Sequence, residues 1–316
     1  MEKIRVALAQ IAPVWFDRAR TLEKVRQYIQ MAAAEQCQLV VFGEGLVPGY
    51  PFWIEYSRET AFDSAFHKNF HAEYIRQGVC IERGDLAAVC QLAGELRIAV
   101  YLGIIERPGN RGESLYAALV YIDSSGSIQS IHRKLMPTYD ERLTWGIGDG
   151  HGLRTHSLGP FTVGGLNCWE NWMPLARAAL YAQGEDLHIA VWPGSHRNTS
   201  EITRFIAREA RSFVLSVSGL MRKSDLPDHL PGIERIRENV GEFLTDGGSC
   251  VAGPAGQWLI EPQCQREELL IATLDHAQVR AERQNFDPAG HYSRPDVFQL
   301  NIDRRRQQTA NFLDQP

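Results

Sequence analysis

No apolar run in this 316-residue chain approaches the roughly 18 to 20 residues needed to cross a bilayer, so no membrane span is expected. The opening, MEKIRVALAQIAP, lacks a basic stretch followed by a long apolar one and does not read as a secretory signal. The cytoplasm is the expected compartment, and thiols stay reduced there. Basic charge is sparse as well. The formal net charge is -5, and the one dense cationic run, Arg304-Arg305-Arg306, reads as a solvated tail and not as a nucleic-acid site. None of the six cysteines stands in CxxC spacing, which removes zinc knuckles and thioredoxin-like redox motifs. A G-x-S-x-G elbow is missing, and so are G-x-G-x-x-G and the P-loop pattern; serine-hydrolase, dinucleotide and NTP sites are unsupported. His132, His151, His156, His188 and His196 show no metal-ligand spacing with carboxylates. No metal and no organic cofactor is expected.

What remains is an ordinary globular composition, 44% apolar and 22% charged, long enough to bury a large core. Short β-branched runs alternate with amphipathic stretches. Strands are predicted at 4–10, 39–43, 98–105, 117–122, 161–167, 189–192, 213–218, 248–252 and 269–274, several of them apolar on both faces. Helices are predicted at 19–35, 85–96, 174–183 and 200–212. Leu22, Val25, Ile29 and Ala33 recur at helical spacing in the first, and Ile202, Phe205, Ile206 and Ala210 in the last. Asp17 or Thr21 starts the first helix, and Pro174 suits a first-turn position. This alternation points to an α/β domain over 1–303, followed by a loose tail over 304–316. Turn signals at Asp246-Gly247-Gly248 and Gly253-Pro254-Ala255-Gly256 suggest a hairpin. The polar stretch 226–242 reads as a surface excursion or lid.

Three residues stand where chemistry is plausible. Glu44 ends the apolar run VVFG; it is either a functional carboxylate or a side chain that has simply reached water. Cys168 closes the strand ending GGLN just before the helix expected at Pro174. It is either a structural thiol or a nucleophile whose pKa is lowered by a nearby helix N-terminus. Lys134 precedes a loop rich in aromatics, charges and glycines, TYDERLTWGIGDG; it is a surface lysine or part of a site. A Cys–His dyad using His196 also stays open at this level.

Taken in order, the segments VVFGEGLVPGYP, IHRKLMPTYDERLTWGIGDG and GLNCWENWMPLARAAL resemble the three motifs of the nitrilase superfamily. Cys-Trp-Glu-Asn and the segment at 287–300, DPAGHYSRPDVFQL, are similar to its nitrilase branch. The resemblance implies an α-β-β-α sandwich that pairs as an eight-layer dimer. It makes Glu44 the general base and acid, Lys134 the electrostatic stabiliser and Cys168 the nucleophile. A second glutamate falls on Glu141, as a partner of Lys134. The Trp169 backbone N–H is expected to meet developing charge. Trp53, Tyr56, Trp145 and Trp172 are candidates to line a pocket for an aryl or arylalkyl group. The expected substrate is a small nitrile; the alternatives are an amidase or a cyanide-hydrating enzyme of the same superfamily, and behind them a non-catalytic binding protein on the same fold. A homo-oligomer built on a dimer is expected, packed through Leu175, Ala176, Ala179, Leu180 and Ala182, without long filaments.

Overall fold

The computed structural model describes residues 2–310 and 313. Met1, Asn311, Phe312 and 314–316, which include the end of the expected tail, lie outside the described residues. In chain order the first half runs β1 (Lys3–Gln10), α1 (Arg18–Ala34), β2 (Leu39–Phe42), α2 (Trp53–Ser57), α3 (Ala65–Gln77), α4 (Ala87–Leu96), β3 (Ala99–Glu106), β4 (Tyr116–Ile122) and β5 (Ile128–Arg133). The second half runs β6 (His156–Leu158), β7 (Phe161–Asn167), α5 (Pro174–Tyr181), β8 (Leu187–Trp192), α6 (His196–Ala210), β9 (Phe213–Ser218), β10 (Leu220–Arg222), α7 (Ile233–Asn239), β11 (Phe243–Ala252), β12 (Trp258–Cys264), β13 (Glu268–Asp275) and α8 (His276–Glu282).

Two sheets result. One has the order β13-β1-β2-β3-β4-β5, the other β10-β11-β9-β8-β7-β6 with β12 on β11. The two-residue period of a strand decides what each side chain meets. On β1 and β2, Val6, Leu8, Leu39 and Val41 point between the sheets, against Ile189, Leu215 and Val251. Their neighbours Ala7, Ala9, Val40 and Phe42 point the other way, against Val25 and Ile29 of α1 and Leu92 of α4. On the far side, Ala190 and Trp192 of β8 meet Ile202 and Ile206 of α6. The layers are therefore helix, sheet, sheet, helix, the sandwich expected. Both faces of the central strands are covered, which is why those strands carry almost no polar residues.

Asp17 caps α1 by accepting from the Arg20 backbone N–H, and Pro174 sits in the first turn of α5. Other expectations need correction. Asp246-Gly247-Gly248 lies inside β11, where the pairing shifts register, and only Gly253–Gly256 makes a turn. β12 contains Pro262 and pairs only with β11; an edge strand tolerates a proline that a central one would not. The stretch 226–242 is anchored, not a free lid. It contains α7 and buries Leu226, Leu230, Ile233 and Ile236 among Trp53 and Phe70. The tail is docked where it begins. Arg306 reaches the Asp149 carboxylate at 2.9 Å and the Ile131 carbonyl at 2.8 Å, and the Gln307 N–H donates to Asp149. Of the residues expected to pack a dimer, Ala176, Ala179 and Leu180 turn into the chain's own core, leaving Leu175 and Ala182 exposed. No helix among the described residues is long and apolar enough to cross a membrane.

Candidate active site

Glu44 follows β2 at the point where the two sheets touch. Its backbone N–H donates to the Trp192 carbonyl at the end of β8, 3.2 Å away. The approach is close because it is made of glycines. A Cβ on Gly43 would stand 3.0 Å from the Gly219 nitrogen, and one on Gly103 would collide with the Gly43 carbonyl. The Glu44 side chain is thereby held under the protein surface, 2% exposed.

Lys134 follows β5. Its N–H donates to the Ala117 carbonyl at 2.8 Å, and its own carbonyl accepts from the Gly148 N–H at 2.9 Å. The preceding Arg133 is fixed in a buried bidentate pair with Glu106, at 2.6 and 2.8 Å. With the main chain clamped, the Lys134 ammonium lies 2.9 Å from Glu44 Oε1 and 2.7 Å from Glu141 Oε2. Glu141 also accepts from the Thr138 N–H at 2.6 Å and from the Tyr50 hydroxyl at 2.6 Å. Both its oxygens are thus engaged. The Glu44 oxygens, by contrast, have no hydrogen-bonding partner among the described residues beyond the ammonium contact. A buried carboxylate left so open is unusual and is available to a proton.

Cys168 follows β7 directly, with a left-handed backbone (φ 49°), and begins a turn of 3-10 helix over Cys168–Trp172. The carboxylate oxygens of Glu44 and Glu141 and the Cys168 sulfur lie within 4.8 Å of one another. The positive charge they face is the Lys134 ammonium. The Trp169 backbone N–H is directed at the sulfur, where it favours the thiolate.

Electrostatics corrects one expectation. Burial pushes the Cys168 thiol well above its ordinary range, and Lys134 opposes this without reversing it. α5 starts only at Pro174, beyond the 3-10 turn, so its N-terminus does not adjoin the thiol. Burial likewise pushes Glu44 up to about 8, with Lys134 pulling it down and Glu141 pushing it up. For Lys134, burial works against the charge, yet Cys168, Glu44 and Glu141 hold it well above the ordinary lysine range. At rest the site favours a neutral thiol beside an ammonium, with a carboxyl poised near neutrality.

Above these groups opens a cavity of about 320 Å³. Tyr50, Phe52, Tyr56 and Trp169 give it aromatic walls, and Glu55, Asp140 and Arg197 give it charge. Of the expected aromatic lining Tyr56 is there, joined by the Trp169 ring, itself expected to contribute only its backbone N–H. Trp53 is not there: it is fully buried against Phe16, Phe70 and Tyr74. Trp145 lies beside the lysine, its ring centre 5.5 Å from Nζ, and Trp172 packs beside Trp169 on the surface. His196 is exposed and does not line the cavity, so it is not placed to form a dyad with Cys168.

Two residues went unnoticed in the sequence. Tyr50 lies within the quoted VPGYP motif, but only the fold brings its hydroxyl to Glu141. Glu170 joins two motifs. It accepts from the Asn167 N–H (2.8 Å) beside the nucleophile, from the Leu135 N–H (2.5 Å) beside the lysine, and bonds His132 (3.0 Å). The elbow and the lysine loop are therefore fixed to one buried carboxylate.

The family model described as carbon-nitrogen hydrolase matches residues 5–284. A protein named nitrilase 2 from an unknown prokaryotic organism is 36% identical, covering 99% of this chain and 96% of its own. An aliphatic nitrilase from Sinorhizobium fredii (strain HH103) is 34% identical, covering 96% of each chain. Among solved structures, a CN-hydrolase superfamily protein from Xanthomonas campestris superposes with a TM-score of 0.70 at 16% identity, over 96% of this chain and 100% of that one. An amidase of the nitrilase superfamily from Nesterenkonia gives 0.65 at 18%, over 89% and 94%; at such identities these two speak for the fold alone. This chain belongs to the carbon-nitrogen hydrolase family and is an enzyme of that family, similar over nearly its whole length to nitrilases.

Proposed function

We propose that this protein hydrolyses a small organic nitrile to the carboxylic acid and ammonia, with Cys168 as nucleophile. One observation carries the reading: an open, buried carboxyl, a thiol and an ammonium share a few ångströms beneath a cavity of about 320 Å³. A nitrile carbon is a weak electrophile and needs a thiolate. Glu44 takes the Cys168 proton as sulfur attacks, then delivers it to the nitrile nitrogen, leaving a thioimidate. Water adds to that carbon while Glu44 takes its proton. Lys134 and the Trp169 N–H meet the charge of the tetrahedral intermediate, donors worth roughly 3 to 4 kcal/mol each in comparable sites. Nitrogen leaves as ammonia after protonation, giving a thioester, and a second water, again deprotonated by Glu44, releases the acid. Glu141 holds the ammonium. The reduced thiol this requires suits the cytoplasm, where we place the protein.

The same four groups serve amides, so the substrate class is decided by the ligand's shape. The test supplies nitriles and their matching amides at equal concentration, measuring ammonia and free amide. Nitrile turnover well above amide turnover, with little amide released, is the expected result; an amide consumed faster than its nitrile makes this an amidase. We also propose a homo-oligomer built on a dimer that pairs through the face bearing exposed Trp172, Met173, Leu175 and Phe205, an apolar group unusual for an uncovered surface. Light scattering at micromolar concentration is expected to give at least a dimer; a stable monomer rejects it.

A further inference from the structure

A chain of buried polar groups that the reaction does not use leads to the nucleophile's backbone. Glu185, His188 and Asn171 are all fully buried. The Glu185 carboxylate lies 3.0 Å from His188 Nδ1, and His188 Nε2 lies 2.8 Å from Asn171 Oδ1. Asn171 Nδ2 donates to the Cys168 carbonyl at 2.8 Å and faces the Leu166 carbonyl at 3.4 Å. These two carbonyls fix which way the Asn171 amide points, so its oxygen is the atom that meets His188. His188 Nε2 must therefore carry a proton, and the Glu185 carboxyl at Nδ1 fits this in two ways: as a carboxylate accepting from a doubly protonated ring, or as an acid donating to a singly protonated one. Room for that carboxylate is built in: a side chain on Gly164 of β7 would strike it.

The end of this chain is the strained point of the site. Cys168 has a left-handed backbone, which a residue with a Cβ adopts only when its surroundings enforce it. Fixing its carbonyl fixes the rotation that aims the sulfur. Three buried polar residues are a costly way to fill space that apolar side chains would fill more cheaply. What they supply instead is direction.

We propose that His188 is a positioning residue for the nucleophile: through Asn171 it holds the Cys168 carbonyl, and with it the backbone conformation that presents the sulfur to the cavity. The role rests on Cys168 being the nucleophile but not on the substrate being a nitrile. The test therefore reads the thiol directly, by its alkylation with iodoacetamide in the full-length protein, alongside kcat and KM. His188→Leu removes the donor. It is expected to lower kcat roughly ten- to hundredfold, as misplacement of a reacting group does, with KM within about twofold and alkylation slowed in parallel. His188→Gln keeps an N–H near the Nε2 position and is expected to restore most of both. If stranding Glu185 prevents folding, the double variant Glu185→Gln/His188→Leu removes the buried carboxylate and carries the same expectation. A folded variant lacking the donor, with wild-type kcat and alkylation, overturns the role, as does a Gln variant no better than the Leu one. Slowed alkylation in a protein that turns over no nitrile leaves the positioning role standing and removes the nitrile reading.

Discussion

Beneath the cavity, whose floor Glu141 and Cys168 line, Glu44, Lys134, Glu141 and Cys168 are each at most 3% exposed, and each is set by strand ends or by clamped main chain. At the rim, Glu55, Arg197 and Trp169 are exposed and stand on a five-residue helix, the first turn of α6 and a 3-10 turn. Burial makes the floor chemically unusual. It raises a thiol and a carboxyl and leaves an ammonium with carboxylates on two sides. At the rim the same effects are weaker: partial desolvation and Asp140 raise the Glu55 carboxyl while Arg197 pulls it down. The floor is thus suited to one kind of bond-making, while the rim is where relatives with the same floor can differ in what they admit.

The largest effects belong to the floor. Cys168→Ala is expected to abolish ammonia release while leaving the melting temperature close to wild type; real turnover by the folded variant would end the assignment. Lys134→Ala and Glu44→Gln should each lose at least about a hundredfold in kcat/KM, since each removes a group required in the transition state. Glu141→Gln should lose less, because Lys134 keeps Glu44. Near-normal turnover in Lys134→Ala would demote the lysine to a structural ion pair.

The pH profile sharpens the same contrast. A base must be ionised to take the thiol proton, and Glu44 is pushed up to about 8 in the folded protein. On the acid side, kcat/KM should therefore climb with pH through a midpoint near 8. A midpoint in the ordinary carboxylate range, or no acid limb at all, would count against a raised Glu44 acting as the base.

The smallest effect on chemistry comes from α2, which spans both regions. Trp53 faces the aromatic core, and Tyr56, three residues on, faces the cavity. Trp53→Ala should cost about 3–5 kcal/mol of stability, as large aromatic truncations in cores do. Tyr56→Ala should cost less stability than Trp53→Ala and alter KM across a nitrile series severalfold. Reversed outcomes would place the cavity wall on the other side of the helix.

Much of the floor was legible before any coordinates. Glu44 and Cys168 sit at the ends of apolar runs, and a polar group directly after a buried strand is conspicuous in one dimension. The rim was not legible. Four of the aromatic residues expected there looked alike in the sequence, yet Tyr56 lines the cavity while Trp53, Trp145 and Trp172 do not. The short helices α2, α7 and α8 lack the long periodic pattern that revealed α1. Aromatic spacing at Phe66, Phe70 and Tyr74 did signal α3 and passed unread. Arg306 looked like one of three solvated arginines until Asp149, 157 residues away, came within reach.

By itself the sequence determined the alternation that builds four layers, because a strand's two faces and a helix's stripe are local periodicities. It also determined which three motifs end those strands. Tertiary structure alone decided that Glu170 ties the lysine loop to the cysteine elbow, that Glu185 and His188 reach the elbow through Asn171, and that burial raises the Cys168 thiol where a helix end was expected to lower it. Those outcomes depend on how much water each group loses and on which distant chain segment replaces it, and neither quantity is a property of a residue's neighbours in sequence.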